Sequence, residues 1–582
     1  MIVPLYLALF LYAMSTQHPT PSTQHPTPST QHPTPSTQLL DIEKRRVVTA
    51  NDFPSDAGPT CDVLVIGGGT GGVAAAEAAA RRGASVILVE PTRMLGGQFT
   101  SQLVPVPDEN SQIEKYLGPS TENYRALREH VRDYYRHLPN VISGREMCIG
   151  SCWVSRISAT PDVWERSIEE RLFPLVEAGY IRRIYRRHAL LSVTPLANGL
   201  LNYADIVDLD TGAITRIGAR YFLDATEDGR LLEVAGLPTV IGQEARSEFN
   251  EPHAPEQAQP DWIQSFTYCF LVRWQSQGPY EKVQAPSEYD YFRSLGDYTL
   301  DYVYSDARRI VPYKVLTTAP RAAGPFWTYR RLIASSNFKD GPHSPEDDIA
   351  LINWRGNDFH DEPYLGRSPE AQVHALERGR AFAQGFLYWL QNECPRDDGN
   401  GFGYPEMQPI SGAVVPGLEP DGIALHPYIR ESRRLKAQFT LNENDLVASP
   451  DKPDAKWGVA FPDSVGCALY AVDIHPSKGE PPLLFPALPY HIPLGSFLTT
   501  SGPRNVLPAS KNIGATRLAM ASARMHPTEW LIGEVAGALA AFCVHEDISD
   551  PSEVRNNPEK LAAFQKNLQD SGITLYWKDI LR

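Results

Sequence analysis

Along the first third of the chain, apolar positions fall into short unbroken runs. Val63, Leu64, Val65 and Ile66 form the first, the pattern of a parallel strand buried on both faces. Gly67, Gly69 and Gly72 follow in G-x-G-x-x-G spacing and open into the alanine-rich segment from Val73 to Arg82. Alanine is the best helix former, so this segment predicts a helix. A second apolar run, Ser85 to Val89, predicts another strand and ends in Glu90. Strand, tight turn, helix and strand make a βαβ unit.

The glycines give that unit a purpose. Gly67 permits the sharp turn, Gly69 lets backbone approach a pyrophosphate, and Gly72 lets helix and strand pack closely. Thr70 and Gly71 complete the turn. Phosphates then sit at the helix N-terminus, where unpaired N–H groups and the helix dipole favour negative charge. Glu90 stands where an acid accepts hydrogen bonds from ribose hydroxyls, about 20 residues beyond the glycines.

Further on, Asn123 to His137 and Pro161 to Glu177 read as helices. Ala189 to Thr194, Leu201 to Leu209 and Ala219 to Leu223 read as strands, with turns at Gly199 and Asp210-Thr211-Gly212. The last of these ends in Asp224-Ala225-Thr226-Glu227. Residues 243–491 are aromatic and proline-rich, with strand-like pieces at Ser265 to Trp274 and Ile349 to Asn353. Gln372 to Asn392 carries Phe382, Phe386 and Trp389 on one side of a helix. Asn505 to Ser510 reads as a short returning strand. The helix from Leu531 to His545 is small-sided at Gly533 and Gly537, and Lys560 to Gln569 reads as a last surface helix.

Composition narrows the classes. The 582 residues suffice for two or more domains, and 42% hydrophobic content can fill a sizeable core. A net charge of −15 argues against a nucleic-acid partner, because phosphate binding needs a concentrated basic surface. The basic cluster Arg182 to Arg187 is expected on a solvated face. Seven cysteines make no disulfide framework; Cys148 and Cys152 are expected to be unlinked thiols, and no His/Cys cluster suggests a metal. Residues 1–14 are apolar but too short to span a bilayer as a helix, and no Lys or Arg precedes the run. Folding around a dinucleotide fits poorly with export as an unfolded chain. A cytoplasmic location is therefore expected, with export through this segment as the alternative.

From Ser15 the heptapeptide Ser-Thr-Gln-His-Pro-Thr-Pro repeats three times and begins again at Ser36. It offers no apolar face, so a disordered linker over residues 15–59 is expected, with folding starting near Thr60. Residues 60–242 and 492–546 then form two parts of a cofactor-binding domain. Residues 243–491 form an inserted substrate domain and residues 547–582 a helical tail.

Met94-Leu95-Gly96-Gly97-Gln98 resembles the extended FAD fingerprint of glutathione-reductase-like flavoproteins. Gln98, Phe99, Thr100 and Ser101 stand where the disulfide reductases of that superfamily carry a redox cysteine pair, so their chemistry is not expected. Trp153-Val154-Ser155-Arg156, Asp224-Ala225-Thr226-Glu227, Ile429 to Arg434, Asp473-Ile474-His475-Pro476 and Arg524-Met525-His526-Pro527 extend the likeness over roughly residues 60 to 580. On these motifs the chain resembles the FAD-dependent oxidoreductase family of glutathione-reductase-2-like flavoproteins, some members of which carry a xanthan-lyase label. The resemblance implies an α/β fold: a Rossmann-like FAD-binding domain with an inserted mixed α+β substrate domain. It implies FAD contacts from Gly67, Gly69, Thr70, Gly71, Gly72, Glu90, Gly96, Gly97, Gln98, Ala225, Thr226, Ala509, Ser510 and Gly533. Glu227 stands where the superfamily usually has a glycine.

A flavin oxidises by accepting a hydride, so the protein must supply a base and position the donor carbon. His526, just ahead of the flavin-facing helix, is the first candidate base; its other use is a hydrogen bond to the turn. Glu529 is a second proton acceptor or a cap for that helix. Arg430 and Arg433, with Glu431, offer a carboxylate clamp or a salt-bridge network. His475 and His491 are lesser candidates. No spacing supports zinc catalysis or a serine hydrolase. The expected activity is an FAD-dependent dehydrogenase or oxidase acting on a small organic substrate. An NAD(P)H-using flavin monooxygenase and a non-catalytic flavin-binding scaffold are the alternatives.

Overall fold

A computed structural model describes residues 37–581, except 54–57, 111, 116–119, 304–309, 343–344 and 449–452. The apolar segment of residues 1–14 and the heptapeptide repeats before residue 37 lie outside the described residues.

Ordered structure begins earlier than the linker reading expects. Strands β1 (Gln38–Asp41) and β2 (Arg46–Thr49) form an antiparallel hairpin, so residues 38–49 belong to the fold. Leu39 and Val48 are buried with Leu191, Val207 and Leu209. Asp41, fully buried, accepts a bidentate pair from Arg187 Nη1 and Nη2 at 2.8 and 2.7 Å. The alternation that marks this hairpin is only a few residues long, and the polar repeat beside it hides it.

The central sheet follows from the apolar runs. β3 (Thr60–Ile66), β4 (Val86–Glu90), β5 (Ile181–Arg186), the far half of β8 (Ile214–Asp224) and β13 (Val506–Pro508) run parallel in the order β5-β4-β3-β8-β13. β6 (His188–Pro195) and β7 (Leu201–Asp208) add antiparallel strands to the near half of β8. Ile66 pairs with Val89 and Asp224, and Asp224 with Pro508, so four strands end at one level. The basic cluster splits accordingly. Arg182 and Arg183 are exposed on β5 as expected, whereas Arg187 is drawn into the Asp41 pair.

Both faces of the sheet are covered, which explains why its strands are continuously apolar. On one face Val63, Val65, Leu88 and Leu223 pack with α1 (Thr70–Arg81) and α5 (His526–His545). On the other, Leu64, Ile87 and Phe222 pack with Leu190, Leu231 and Leu232. A Cβ added at Gly533 would lie 1.9 Å from the Gly71 carbonyl oxygen, so this residue sets how closely α5 approaches α1. Among the described residues α5 alone is long and apolar enough to cross a membrane, and most of it is buried in this core.

Helices α2 (Glu122–Arg136) and α3 (Pro161–Glu177) close the first face; Thr121 Oγ1 caps α2 by accepting from Tyr124 N, and Pro161 opens α3 at a position that needs no N–H. The aromatic middle of the chain builds a second sheet, antiparallel in the order β10-β11-β9-β12. Its strands are β9 (Phe270–Trp274), β10 (Arg331–Ile333), β11 (Ile349–Ile352) and β12 (Met407–Pro409). α4 (Pro369–Asn392) buries Phe382, Phe386 and Trp389 with Phe266, Trp354 and Ile42. Ile42 and the Arg45–Glu377 ion pair at 3.1 Å tie the hairpin to α4. The terminal helix α6 (Pro558–Asp570) buries Phe564 and Leu568 in the main core, so it is more than a surface element.

Candidate cofactor and active site

The glycine-rich turn lies at the level where the parallel strands end. Gly67 has φ +101°, and a Cβ there would sit 2.2 Å from the Ala225 carbonyl oxygen. Only glycine meets both demands. Gly69 is the N-cap of α1, which begins at Thr70 and carries Gly71 and Gly72 in its first turn. Thr70 Oγ1 donates to the Gly96 carbonyl at 3.0 Å, and Gly96 N donates to the Gly68 carbonyl at 2.8 Å. Gly97 packs on this turn so tightly that a Cβ would come 2.8 Å from Gly69 Cα. Gly71 faces the carbonyl of Ala509, at the end of β13. Four separate segments thus converge on the N-terminus of α1.

A cavity of about 220 Å³ opens beside this point. Gly67, Gly69, Glu90, Gly97, Ala225 and Thr226 line it. Glu90 is buried. Its Oε2 accepts from Gly68 N at 2.7 Å and its Oε1 from Thr92 N and Oγ1 at 2.9 and 2.6 Å. Burial pushes its carboxyl up to about 7 against these bonds. Thr226 Oγ1 donates to Asp224 at 2.7 Å, so this hydroxyl shapes the strand end. Leu39, Leu40 and Ile42 of the hairpin segment, with Ala189 and Leu190, supply an apolar wall. Sequence reasoning misses these residues, because Gln38 to Ile42 stands beside the polar repeat and reads as linker.

Behind the turn lies a buried charge network. Lys511 is fully buried and bonds to Glu227, with Glu529 Oε2 at 3.4 Å. Burial alone would lower the Lys511 ammonium, but the two carboxylates raise it. Glu529 accepts from Ser510 Oγ at 2.9 Å and from Gln98 Nε2, and burial raises its carboxyl. Glu529 makes no capping bond to α5, and both of its carboxylate oxygens are engaged. Its side chain ties Gln98, Ser510 and Lys511 together. Lys511 was not singled out, since nothing local marks a lysine whose partner Glu227 lies 284 positions away.

His526 is held against the chain at Val104 and Asp108. Asp108 N donates to its Nδ1 at 3.1 Å, and its Nε2 donates to the Val104 carbonyl at 3.2 Å. The ring is fully buried, and burial pushes it down to about 3. Both nitrogens are spent on the turn and the imidazole is neutral, so this geometry serves packing rather than proton transfer. Arg430 lies among salt bridges, the second of the two uses the sequence offers it. It donates to Asp358, Ser265 O and Thr267 Oγ1, while Arg433 bonds Glu233 and Glu431 bonds Arg434 and Arg517. These groups diverge into separate ion pairs and form no clamp. His491 likewise is engaged, by Val459 O and Trp577 N.

His475 is placed differently. Asp358 Oδ2 lies 2.6 Å from its Nδ1 and Asp473 Oδ2 3.5 Å from its Nε2, and the side chain is 22% exposed. Arg524 stands beside this pair, donating to Tyr428 Oη at 2.8 Å and to the Asp473 carbonyl at 2.9 Å. Arg524 also offers its carbonyl to Gln98 Nε2 at 3.1 Å, which links this polar cluster to the network behind the turn.

The residues fit a flavin dinucleotide. Buried oxygens Gln98 Oε1, Gln102 Oε1 and Glu227 Oε1 have no hydrogen-bond partner among the described residues, and Gln102 and Glu227 line the cavity. Unpaired buried acceptors call for donors. The amide turn and the α1 N-terminus supply the opposite, an environment for phosphate.

A family model described as FAD dependent oxidoreductase matches residues 62–568. Solved structures show distant likeness. The flavin-dependent monooxygenase PieE, in complex with FAD and substrate, is 16% identical, with 37% of this chain and 36% of that chain covered and a TM-score of 0.23. The myxobacterial chondrochloren halogenase CndH is 16% identical over 39% of this chain and 46% of its own, TM-score 0.23. A geranylgeranyl bacteriochlorophyll reductase-like protein from Thermoplasma acidophilum is 11% identical over 89% and 88%, TM-score 0.31. The chain spans less than half the length of the first two.

Proposed function

The chain belongs to the FAD dependent oxidoreductase family, and from that premise we propose that it is a dehydrogenase or oxidase that oxidises a small organic substrate and passes the electrons to oxygen, a quinone or another acceptor. When bound, FAD supplies hydride acceptance. The chain supplies the rest. Amides of the Gly67–Gly72 turn would hold the diphosphate, and the Leu39-Leu40 wall would shield the nucleoside from water.

The observation that carries the reading is the His475–Asp358 pair. Asp358 orients the imidazole through Nδ1, and Nε2, with Asp473 Oδ2 3.5 Å away, is where a substrate O–H or N–H would exchange its proton between the ring and that carboxylate. The arrangement is one of orientation by a buried carboxylate, and the ring is half-buried rather than sealed as His526 is.

Anaerobic mixing of the yellow holoprotein with a panel of alcohols, amines and sugars tests the proposal. The expected result is bleaching by at least one donor, slowed about 10²- to 10⁴-fold in His475→Asn. Bleaching only by NADPH in the presence of substrate would point to a monooxygenase. A flavin that stays oxidised under every condition would point to a binding scaffold.

A further inference from the structure

One pair of side chains stands outside the lining of the cofactor cavity. Cys148 and Cys152 lie in the loop between α2 and α3, with their Sγ atoms 3.6 Å apart. Cys148 is half-buried and Cys152 is buried. The other five cysteines, Cys61, Cys269, Cys394, Cys467 and Cys543, are all buried and have no cysteine partner.

The loop is held in a fixed shape. Ser151 N donates to the Cys148 carbonyl at 2.9 Å, and Ser151 itself has φ +45°, a conformation costly for a non-glycine residue. Asn337 Nδ2 restrains it through the Ile149 carbonyl at 2.7 Å and Ser151 Oγ at 2.9 Å. Gly150 N donates to Ser158 Oγ at 2.7 Å, and Ser158 Oγ also stands 3.6 Å from Cys148 Sγ. Strain at one residue, overruled by three separate contacts, keeps the two sulfurs facing each other.

The two thiols are unequal. The hydrogen bond from Cys152 and that from Ser158 outweigh burial and bring Cys148 down to about 6, while Cys152 is pushed well up. Burial pushes Cys61, Cys269, Cys394 and Cys543 up to about 12. A more accessible thiolate in front of a protonated thiol is the arrangement of an attacking and a resolving sulfur.

We propose that Cys148 and Cys152 form a thiol–disulfide exchange site that reduces low-molecular-weight disulfides, separate from the flavin site. Cys148 thiolate bonds to one sulfur of the small disulfide, and the other leaves as a thiolate and takes up a proton. Cys152 then loses its proton, bonds to Cys148 Sγ and expels the second thiolate. The small disulfide gains two electrons and leaves, with two protons, as two thiols; the protein gives up two electrons and the Cys152 proton, solvent supplies the other proton, and the pair becomes a disulfide. Closure needs the sulfurs to move from 3.6 Å to about 2 Å, a rotation of the less buried Cys148 side chain.

Glutathione disulfide is the probe, applied to the full-length holoprotein with the flavin spectrum as the check on folding. The expected result is loss of two thiols together in the native protein. Cys152→Ser should retain one glutathione, mapped by peptide mass to Cys148, and Cys148→Ser should be inert. Independently of any substitution, iodoacetamide should alkylate Cys148 at least about tenfold faster than the other thiols at pH 7. A native protein that keeps both thiols, a Cys148→Ser protein that reacts as the native one does, or glutathione mapped to another cysteine would overturn the proposal.

Discussion

Lys511 and Glu529 stand 3.4 Å apart with both side chains wholly removed from solvent, and Glu227 completes the group from the opposite side. A charge of either sign left alone there has no water to turn to. Lys511→Met should therefore cost roughly 3–5 kcal/mol of stability, the range for breaking a buried pair. It should also release FAD. Chemical denaturation and the flavin-to-protein absorbance ratio of the purified variant check both.

His526 fixes a pH dependence whose sign follows from its burial. Its folded-state value of about 3 lies below the ordinary value near 6.5, so the unfolded chain takes up the proton first. Stability is present above about 6.5 and falls as pH drops towards 3, by up to about 1.4 kcal/mol per pH unit. His526→Asn should flatten that slope while leaving the pH profile of flavin reduction unchanged. Denaturant midpoints between pH 4 and 7 measure the first, and stopped-flow reduction measures the second.

Glu90 works in the other direction. Burial raises its carboxyl to about 7 in the folded chain, so its contribution is complete below about 4.3 and is lost as pH rises through 7. Glu90→Gln keeps an acceptor for Gly68 N and removes the ionisation. The cofactor-free variant should lose less stability than the native chain between pH 5 and 8, read by the same denaturant series.

At Gly533 there is no room for a methyl group, since the Gly71 carbonyl lies 1.9 Å from the Cβ position. Gly533→Ala must push α5 off α1. The expected cost is about 3 kcal/mol, the upper end for overpacking, with partial loss of FAD. Thermal unfolding and flavin content should change together; a variant with native values in both would show that the helices can separate freely.

Leu40 of the hairpin lines the cavity beside Leu39 and Ile42. Leu40→Asn should weaken binding of ADP and FAD to the apoprotein about tenfold, as expected for removing a buried apolar contact worth about 1.5 kcal/mol. Calorimetric titration with ADP, which has no flavin, isolates the nucleoside end.

The glycine turn, Glu90 and the helix carrying Phe382, Phe386 and Trp389 were legible because each is local. A tight turn needs glycine wherever it occurs, and a helix face repeats at fixed spacing. Residues whose meaning depends on distant partners were not. His526 reads as lying just ahead of a helix and is the first residue of α5, but its role is decided by Val104 and Asp108, more than 400 positions earlier. Glu529 was legible as an acid near a helix start, yet Gln98 and Lys511 turn it away from the helix. The hairpin at residues 38–49 has a pattern too short to stand out beside a repetitive polar stretch.

The order in which the sheet is threaded has a consequence for biosynthesis. β13 and α5 arrive from the last fifth of the chain yet lie directly against the first βα turn. The ribosome therefore releases Gly67 to Gly72 long before their neighbours Ala509 and Gly533 exist. Nascent chains are expected to retain the nucleotide only once translation is nearly finished. Prematurely terminated products should be colourless.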